Sequence, residues 1–256
     1  MPSPRALIVR APGTNCDEET AAAWTLAGAL VETWHVSQVL EAPERLRAFQ
    51  ILTIPGGFSY GDDLGAGRIL ATRLCLALGD ALQTFHDRGG LLLGVCNGFQ
   101  VLVRAGLLPG CPDCGPATLA HNESGRFEDR WVRLAPRPGL CPFLPDHEPI
   151  ELPVAHGEGK FVLAQPDEVA TLEATGQVVL KYVNAAGQPT QTYPENPNGS
   201  LGAVAGICNS TGRIFGLMPH PERFVDPLHH PRWTRRPHSG TPDGLKLFQS
   251  AVAALR

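Results

Sequence analysis

Through the first hundred residues, short apolar runs alternate with stretches of helical periodicity. Ala6 to Val9 is an unbroken apolar run that reads as a buried strand, and Asp17 to Ala29 carries helix formers with apolar residues at helical spacing. Val31 to Val36 reads as a second strand and Gln50 to Ile54 as a third, ended by Pro55-Gly56-Gly57. Ala66 to Arg88 is a long helical segment; Leu91 to Val95 is a fourth strand, followed directly by a helix from Asn97 to Arg104. Strands alternating with helices predict an α/β fold with a mostly parallel sheet and helices on both faces. Ligands bind such sheets outside the carboxyl ends of the strands, where Pro55-Gly56-Gly57 and Cys96 fall.

Past Leu108 the pattern changes. Residues 109–149 are rich in Pro, Gly and polar groups, with a strand candidate at Trp131 to Leu134. Strand-like pieces recur at Ile150 to Val154, Val178 to Val183, Ala203 to Cys208 and Arg213 to Leu217, and predict an antiparallel extension of the same sheet. Asp243 to Leu255 reads as a closing amphipathic helix. With no internal repeat and no clear linker, residues 1–256 are expected to form one domain with a sizeable core.

Composition narrows the function. A net charge of −4 without a basic run gives no support to a nucleic-acid partner; Arg232 to Arg236, three arginines in five residues, reads as a solvated loop. The apolar runs are too short for a membrane span, and the first residues lack the apolar stretch of a signal peptide, so a cytoplasmic chain is expected. Seven scattered cysteines in such a chain are expected to be free thiols. Cys111-Pro-Asp-Cys114 has metal-ligand spacing, but no second pair follows, so no metal site is expected.

The most informative segment is Gly94-Val-Cys96-Asn-Gly98, which has the small-x-nucleophile-x-small form of a nucleophile elbow with Cys in place of Ser. A sharp strand-to-helix turn brings the positions two before and two after the nucleophile together, and side chains there would clash. The turn exposes the sulfur above the sheet at a helix N-terminus, whose partial positive charge favours thiolate. The blander reading, a buried cysteine with packing glycines, fits the strand-elbow-helix context less well. Gly57 ends the neighbouring strand, and its N–H with that of Asn97 is positioned to bind the oxyanion of a tetrahedral intermediate. Met218-Pro-His220-Pro-Glu222-Arg223 supplies a base: in extended chain, positions i and i+2 point the same way, so Glu222 can orient the His220 ring. Alone, Pro-Gly-Gly is an ordinary turn and His-x-Glu a surface ion pair; the elbow makes both of them site candidates.

Six segments then carry a resemblance: Gly-Thr-Asn-Cys-Asp (13–17), Pro-Gly-Gly-Phe-Ser-Tyr-Gly-Asp (55–62), Gly-Val-Cys-Asn-Gly-Phe-Gln (94–100), Ala-His-Gly-Glu-Gly (155–159), Asn-Pro-Asn-Gly-Ser (196–200) and Met-Pro-His-Pro-Glu-Arg (218–223). Together they resemble the glutaminase component of phosphoribosylformylglycinamidine synthase, among the class I glutamine amidotransferases. The resemblance implies a flavodoxin-like sheet. It implies attack of the Cys96 thiolate on the glutamine amide, a glutamyl thioester, and release of ammonia to a separate synthetase subunit that holds ATP and magnesium; no cofactor is implied in this chain. A small third subunit is left open. The resemblance also assigns Gln100, one helical turn after Cys96, to bound glutamine, and places His156, Gly157 and Glu158 on the pocket or its rim. Asp63-Leu64-Gly65-Ala66-Gly67 and Asn122 to Glu128 follow the version fused to the synthetase. Two rivals remain open at this point: a γ-glutamyl hydrolase of the same fold, and a non-catalytic scaffold.

Overall fold

The computed structural model describes residues 2–137, 139–144, 148–235 and 240–256. The first half forms β1 (Arg5–Arg10), α1 (Asp17–Leu26), β2 (Leu30–His35), α2 (Val36–Glu41), β3 (Ile51–Ile54), α3 (Arg68–Asp87), β4 (Leu91–Val95) and α4 (Asn97–Arg104). The second forms β5 (Ala117–Ala120), β6 (Glu128–Pro136), β7 (Ile150–His156), β8 (Lys160–Leu163), α5 (Glu168–Ala174), β9 (Val178–Tyr182), β10 (Val204–Cys208), β11 (Ile214–Leu217) and α6 (Asp243–Ala254). Nine strands make one sheet in the order β2-β1-β3-β4-β11-β10-β9-β6-β7, and β5 pairs separately with β8.

The neighbours β2, β1, β3, β4 and β11 are parallel, while β10, β9, β6 and β7 add to the β11 edge in antiparallel fashion. β3 and β4 are buried at every position, as strands covered on both faces must be. From β1 the chain steps outward to β2 through α1, whereas from β3 it steps the other way to β4 through α3. Right-handed crossovers in opposite directions place the two helices on opposite faces. α3 buries Leu70, Ala71, Leu74, Leu78, Leu82 and Phe85, which recur at helical spacing along one face. α6 lies against α1, with Trp24 and Phe248 edge to face at 4.8 Å.

The antiparallel extension is as expected, with one correction: the Arg213 to Leu217 segment forms β11, which is antiparallel to β10 but parallel to β4, so it belongs to the parallel core. Four short elements went unread: α2, α5, β5 and β8. The helices have six and seven residues, too few for a periodicity to show, and β5 and β8 bond only to each other. The cysteine expectation also needs correction. Cys111 and Cys114 form a disulfide, because the turn brings their Cα atoms to 5.4 Å, within bonding range; Cys16, Cys75, Cys96, Cys141 and Cys208 are free. In the arginine-rich segment, Arg232 reaches Glu151 at 3.6 Å, and Arg236 lies outside the described residues. Among the described residues no helix is long and apolar enough to cross a membrane.

Glycine at two positions separates a packing requirement from mere tolerance. A Cβ on Gly98 would sit 1.8 Å from the Ile54 carbonyl oxygen, whereas one on Gly79, inside α3, would meet nothing within 4 Å. Gly98→Ala is therefore expected to cost about 1–3 kcal/mol or more in urea unfolding. Gly79→Ala is expected to stabilise by about 0.5–1 kcal/mol through helix propensity. Equal effects would show that the elbow is not close-packed.

Candidate active site

The elbow forms as its sequence demands. Cys96 has φ 50° and ψ −103°, a left-handed value that costs a non-glycine residue energy and persists only where surroundings enforce it. The enforcement is steric. A Cβ on Gly94 would lie 2.7 Å from the Gly98 carbonyl, so strand and helix touch backbone to backbone. The Cys96 N–H donates to the Leu217 carbonyl at 2.8 Å, which ties the elbow to β11. Cys96 is 5% exposed, and its sulfur lies 3.7 Å from the Ala155 carbonyl oxygen; the residue lines a cavity of about 390 Å³.

β11 leads to His220, the expected base. Leu217 is paired with Val95, so the chain leaving β11 emerges beside Cys96, and the His220 N–H is pinned to the Pro153 carbonyl of β7 at 2.8 Å. His220 Nδ1 donates to Glu222 Oε1 at 2.6 Å, with both side chains buried. The other ring nitrogen, Nε2, is buried without a partner among the described residues and belongs to a ring that lines the Cys96 cavity. Burial alone would pull the His220 pKa down, but Glu222 and then Cys96 outweigh it and hold it well above the ordinary value. A Cβ at Gly56 would come within 2.8 Å of the ring, so glycine is needed where β3 passes the base.

Gly57 also lines the cavity. Its bridge to Thr14 uses the flanking groups, Phe58 N–H to Gly13 O and Asn15 N–H to Gly56 O, and leaves the Gly57 N–H for a ligand. Asn97 begins α4, so its N–H is one of those a helix cannot pair internally. Its side chain is occupied elsewhere: Oδ1 accepts from Ser59 N–H at 3.2 Å, and Nδ2 donates to Asp62 Oδ1 at 3.1 Å and Gln100 Oε1 at 3.0 Å. Gln100 lines the cavity and is fixed at its far end by Nε2 donating to the Glu158 carbonyl at 2.5 Å.

The opposite wall is a buried polar network. His156 Nδ1 donates to Asn122 Oδ1 at 3.1 Å; that oxygen also accepts the Gly159 N–H at 3.0 Å. Asn198 Nδ2 stands 3.5 Å from His156 Nε2 and donates to the Tyr182 hydroxyl at 3.1 Å. With amides for neighbours and no carboxylate, burial and then the His220 charge push the His156 pKa down to about 3, so this ring is neutral. Gly157 lines the cavity beside it, as do Asp62, Phe58, Phe127 and Arg223. Of the residues expected at the site, Cys96, His220, Gly57, Gln100, His156 and Gly157 line one cavity, whereas Glu222 is bonded behind the His220 ring and Asn97 is not among the lining residues. Sequence reasoning missed Asn122, Asp62, Tyr182, Asn198, Arg223 and Cys16 as site components. All but Tyr182 stand in segments singled out above, but nothing in a segment says which neighbour it will meet.

A family model for the CobB/CobQ-like glutamine amidotransferase domain matches residues 3–253. The chain belongs to this family. The phosphoribosylformylglycinamidine synthase subunit PurQ of Dehalococcoides mccartyi is 49% identical over 254 residues, spanning 98% of each chain. Human phosphoribosylformylglycinamidine synthase is 40% identical over 283 residues, covering 98% of this chain but 20% of the human one. A chain of the PurLQS structure from Thermotoga maritima superposes with a TM-score of 0.75 at 33% identity, covering 99% of this chain and 100% of that one.

In this amidotransferase the ligand-type atoms of Cys16, His220 and Glu222 lie within 4.8 Å of one another. Nδ1 and Oε1 already share a proton, and the Arg223 guanidinium stands 3.2 Å from the Cys16 sulfur, so a cation would have to break the pair and face a fixed positive charge.

The two histidines set opposite limbs of a pH profile. Below the ordinary value of 6.5 the unfolded chain protonates His156 and the folded one does not, so its contribution falls as the pH drops from 6.5 towards about 3. The raised His220 contributes in full below 6.5, and that contribution is lost as the pH rises through its folded value. Stability in urea should therefore peak near pH 6.5. His156→Gln should flatten the acid limb and Glu222→Gln the alkaline one; an alkaline limb unchanged in Glu222→Gln would remove the carboxylate as its cause.

Proposed function

We propose that this chain is the glutaminase of a phosphoribosylformylglycinamidine synthase, with Cys96 as nucleophile, His220 as acid and base, and Glu222 as the group that orients His220. The observation that supports it best is one cavity holding the strained elbow sulfur and a buried histidine already bonded to a carboxylate. The Cys96 sulfur attacks the glutamine amide carbon, and the developing oxyanion is held by the N–H groups of Gly57 and Asn97. His220 gives a proton to the departing nitrogen, ammonia leaves, and a γ-glutamyl thioester remains on Cys96. Water, activated by His220, attacks the thioester and releases glutamate. Gln100, His156 and Gly157 shape the pocket for the substrate.

The ammonia serves a synthetase partner that carries ATP and magnesium and converts formylglycinamide ribonucleotide to its amidine in purine synthesis. The relatives' names support this partner, and a small third subunit is consistent with the Thermotoga maritima assembly's name. Residues 1–256 act as one cytoplasmic domain, in keeping with a sheet continuous from β2 to β7. Neither rival is favoured: no relative named above is a γ-glutamyl hydrolase, and a scaffold has no use for three converging reactive groups. Exposed Phe58 and Phe127 on the cavity lining suit a partner that must cover it before ammonia escapes.

In the complex with its synthetase, Cys96→Ala should abolish glutamine-dependent synthesis yet leave synthesis from added ammonium salts intact. Glutaminase activity surviving in Cys96→Ala would sink the nucleophile assignment. The chain alone should be a poor glutaminase, and synthetase loaded with nucleotide and ATP should raise its turnover. The Gly57 donor sits on a glycine-rich loop, and one misplaced oxyanion donor costs on the order of a hundred- to a thousand-fold in rate. Equal turnover with and without the loaded partner would dismiss this control.

A further inference from the structure

Cys16 is a buried thiol that the mechanism does not use. It lies 1% exposed in the turn before α1 and makes no side-chain cap to that helix. Its sulfur is instead built into the catalytic corner. The thiol donates to Asn15 Oδ1 at 3.2 Å, accepts from Arg223 Nη2 at 3.2 Å, and sits 4.0 Å from His220 Nδ1. Arg223 directly follows Glu222, whose Oε2 is buried without a hydrogen-bond partner. A guanidinium beside such an oxygen would ordinarily close a charge-assisted pair. Among the described residues no ion pair joins Arg223 to Glu222; the guanidinium is bonded to the Cys16 sulfur.

We propose that Cys16 is a positioning residue whose sulfur holds the Arg223 guanidinium off Glu222, so that the Glu222 carboxylate serves His220 alone. The arrangement needs all three parts. Glu222 raises the affinity of His220 for a proton, and an arginine paired to Glu222 would cancel that effect. A sulfur is suited to the task because it accepts a guanidinium N–H without offering a competing carboxylate. Glycine at position 56 makes the room, since a Cβ there would lie 3.2 Å from the Cys16 sulfur and 2.8 Å from the His220 ring. The titratable and charged groups facing His220 are Glu222 and Arg223 from its own turn, Cys16 from the turn before α1, Cys96 from the elbow between β4 and α4, and His156 from β7. Of these, Arg223 is the permanent cation, and the Cys16 sulfur is its hydrogen-bond acceptor.

The inference rests on Cys96 and His220 forming the reacting pair. Its test is iodoacetamide labelling of Cys96 in the full chain across pH, followed by mass spectrometry of the Cys96 peptide. In Cys16→Ala the labelling midpoint should move up by about one pH unit, and labelling at pH 7 should slow about ten-fold, the size of effect a nearby charge exerts. Cys16→Ser, which keeps a donor and an acceptor, should stay within about two-fold of the unaltered chain. Cys16→Ala combined with Arg223→Met should restore the midpoint, a recovery that a purely structural role for Cys16 would not produce. An unmoved midpoint in Cys16→Ala, or a shift that persists in the double variant, overturns the proposal. Should Cys16→Ala not fold, Cys16→Val fills the volume without an acceptor and is read by the same two outcomes. If Cys96 of the unaltered chain shows no preferential labelling, the catalytic assignment fails instead.

Discussion

The parallel pairing of β4 with β11 is the constraint on which the rest of the site depends. Their register sets Leu217 against Val95, and the elbow N–H closes on the Leu217 carbonyl. Because both strands run the same way, both chains leave the sheet at one edge, and residues more than a hundred positions apart emerge as neighbours. The packing that permits this is tight: a Cβ on Gly216 would lie 2.1 Å from the Phe99 ring, so α4 rests directly on the seam. A slip of one residue would turn every side chain of a strand to the other face and carry His220 away from the sulfur.

Electrostatics then divides the labour between two buried histidines. His220 faces a carboxylate and is held protonated beyond the usual range, while His156 faces amides and stays neutral. The His220 charge helps to enforce the neutral state of His156, being among the causes that depress it after burial. The ordering is economical in a low-dielectric corner, where two like charges would repel strongly and an unpaired one would be expelled. One ring is free to move protons; the other holds the 155–159 loop against Asn122.

The loop between β3 and α3 connects this interior to the surface. Tyr60 and Asp62 have φ values of 56° and 53°, conformations that a side-chain-bearing residue adopts only when held. Asn97 holds them from within, through Ser59 N–H and the Asp62 carboxylate, and Arg73 from without, through the Tyr60 hydroxyl at 2.6 Å. Burial holds the Asp62 pKa above the ordinary carboxylate value, and the Gly67 and Asn97 hydrogen bonds oppose that rise. Asn97, the residue after Cys96, is thereby bonded to a segment that also carries exposed Leu64.

The elements legible from the chain were those whose cause is local. Alternating apolar runs and helical periods announced the parallel core, and the Gly94, Cys96 and Gly98 spacing announced the elbow, because the clash that glycine relieves lies within five residues. His220 and Glu222 were legible as a pair because they stand two positions apart, although Pro221–Arg223 forms a short 3-10 turn and not the extended stretch expected. Where the cause spans the fold, the sequence was silent. The direction of β11, the β5–β8 pair and the Asn122–His156–Asn198–Tyr182 network all depend on which strand ends meet. The Cys111–Cys114 disulfide lies close in sequence, yet it depends on a turn that the composition of residues 109–149 did not specify. The sequence by itself determined the reactive groups and the backbone turn that presents the sulfur, since sterics and side-chain period act between near neighbours. Only the tertiary structure decided which charges those groups feel, since desolvation and Coulomb forces act between whatever side chains the sheet order brings together.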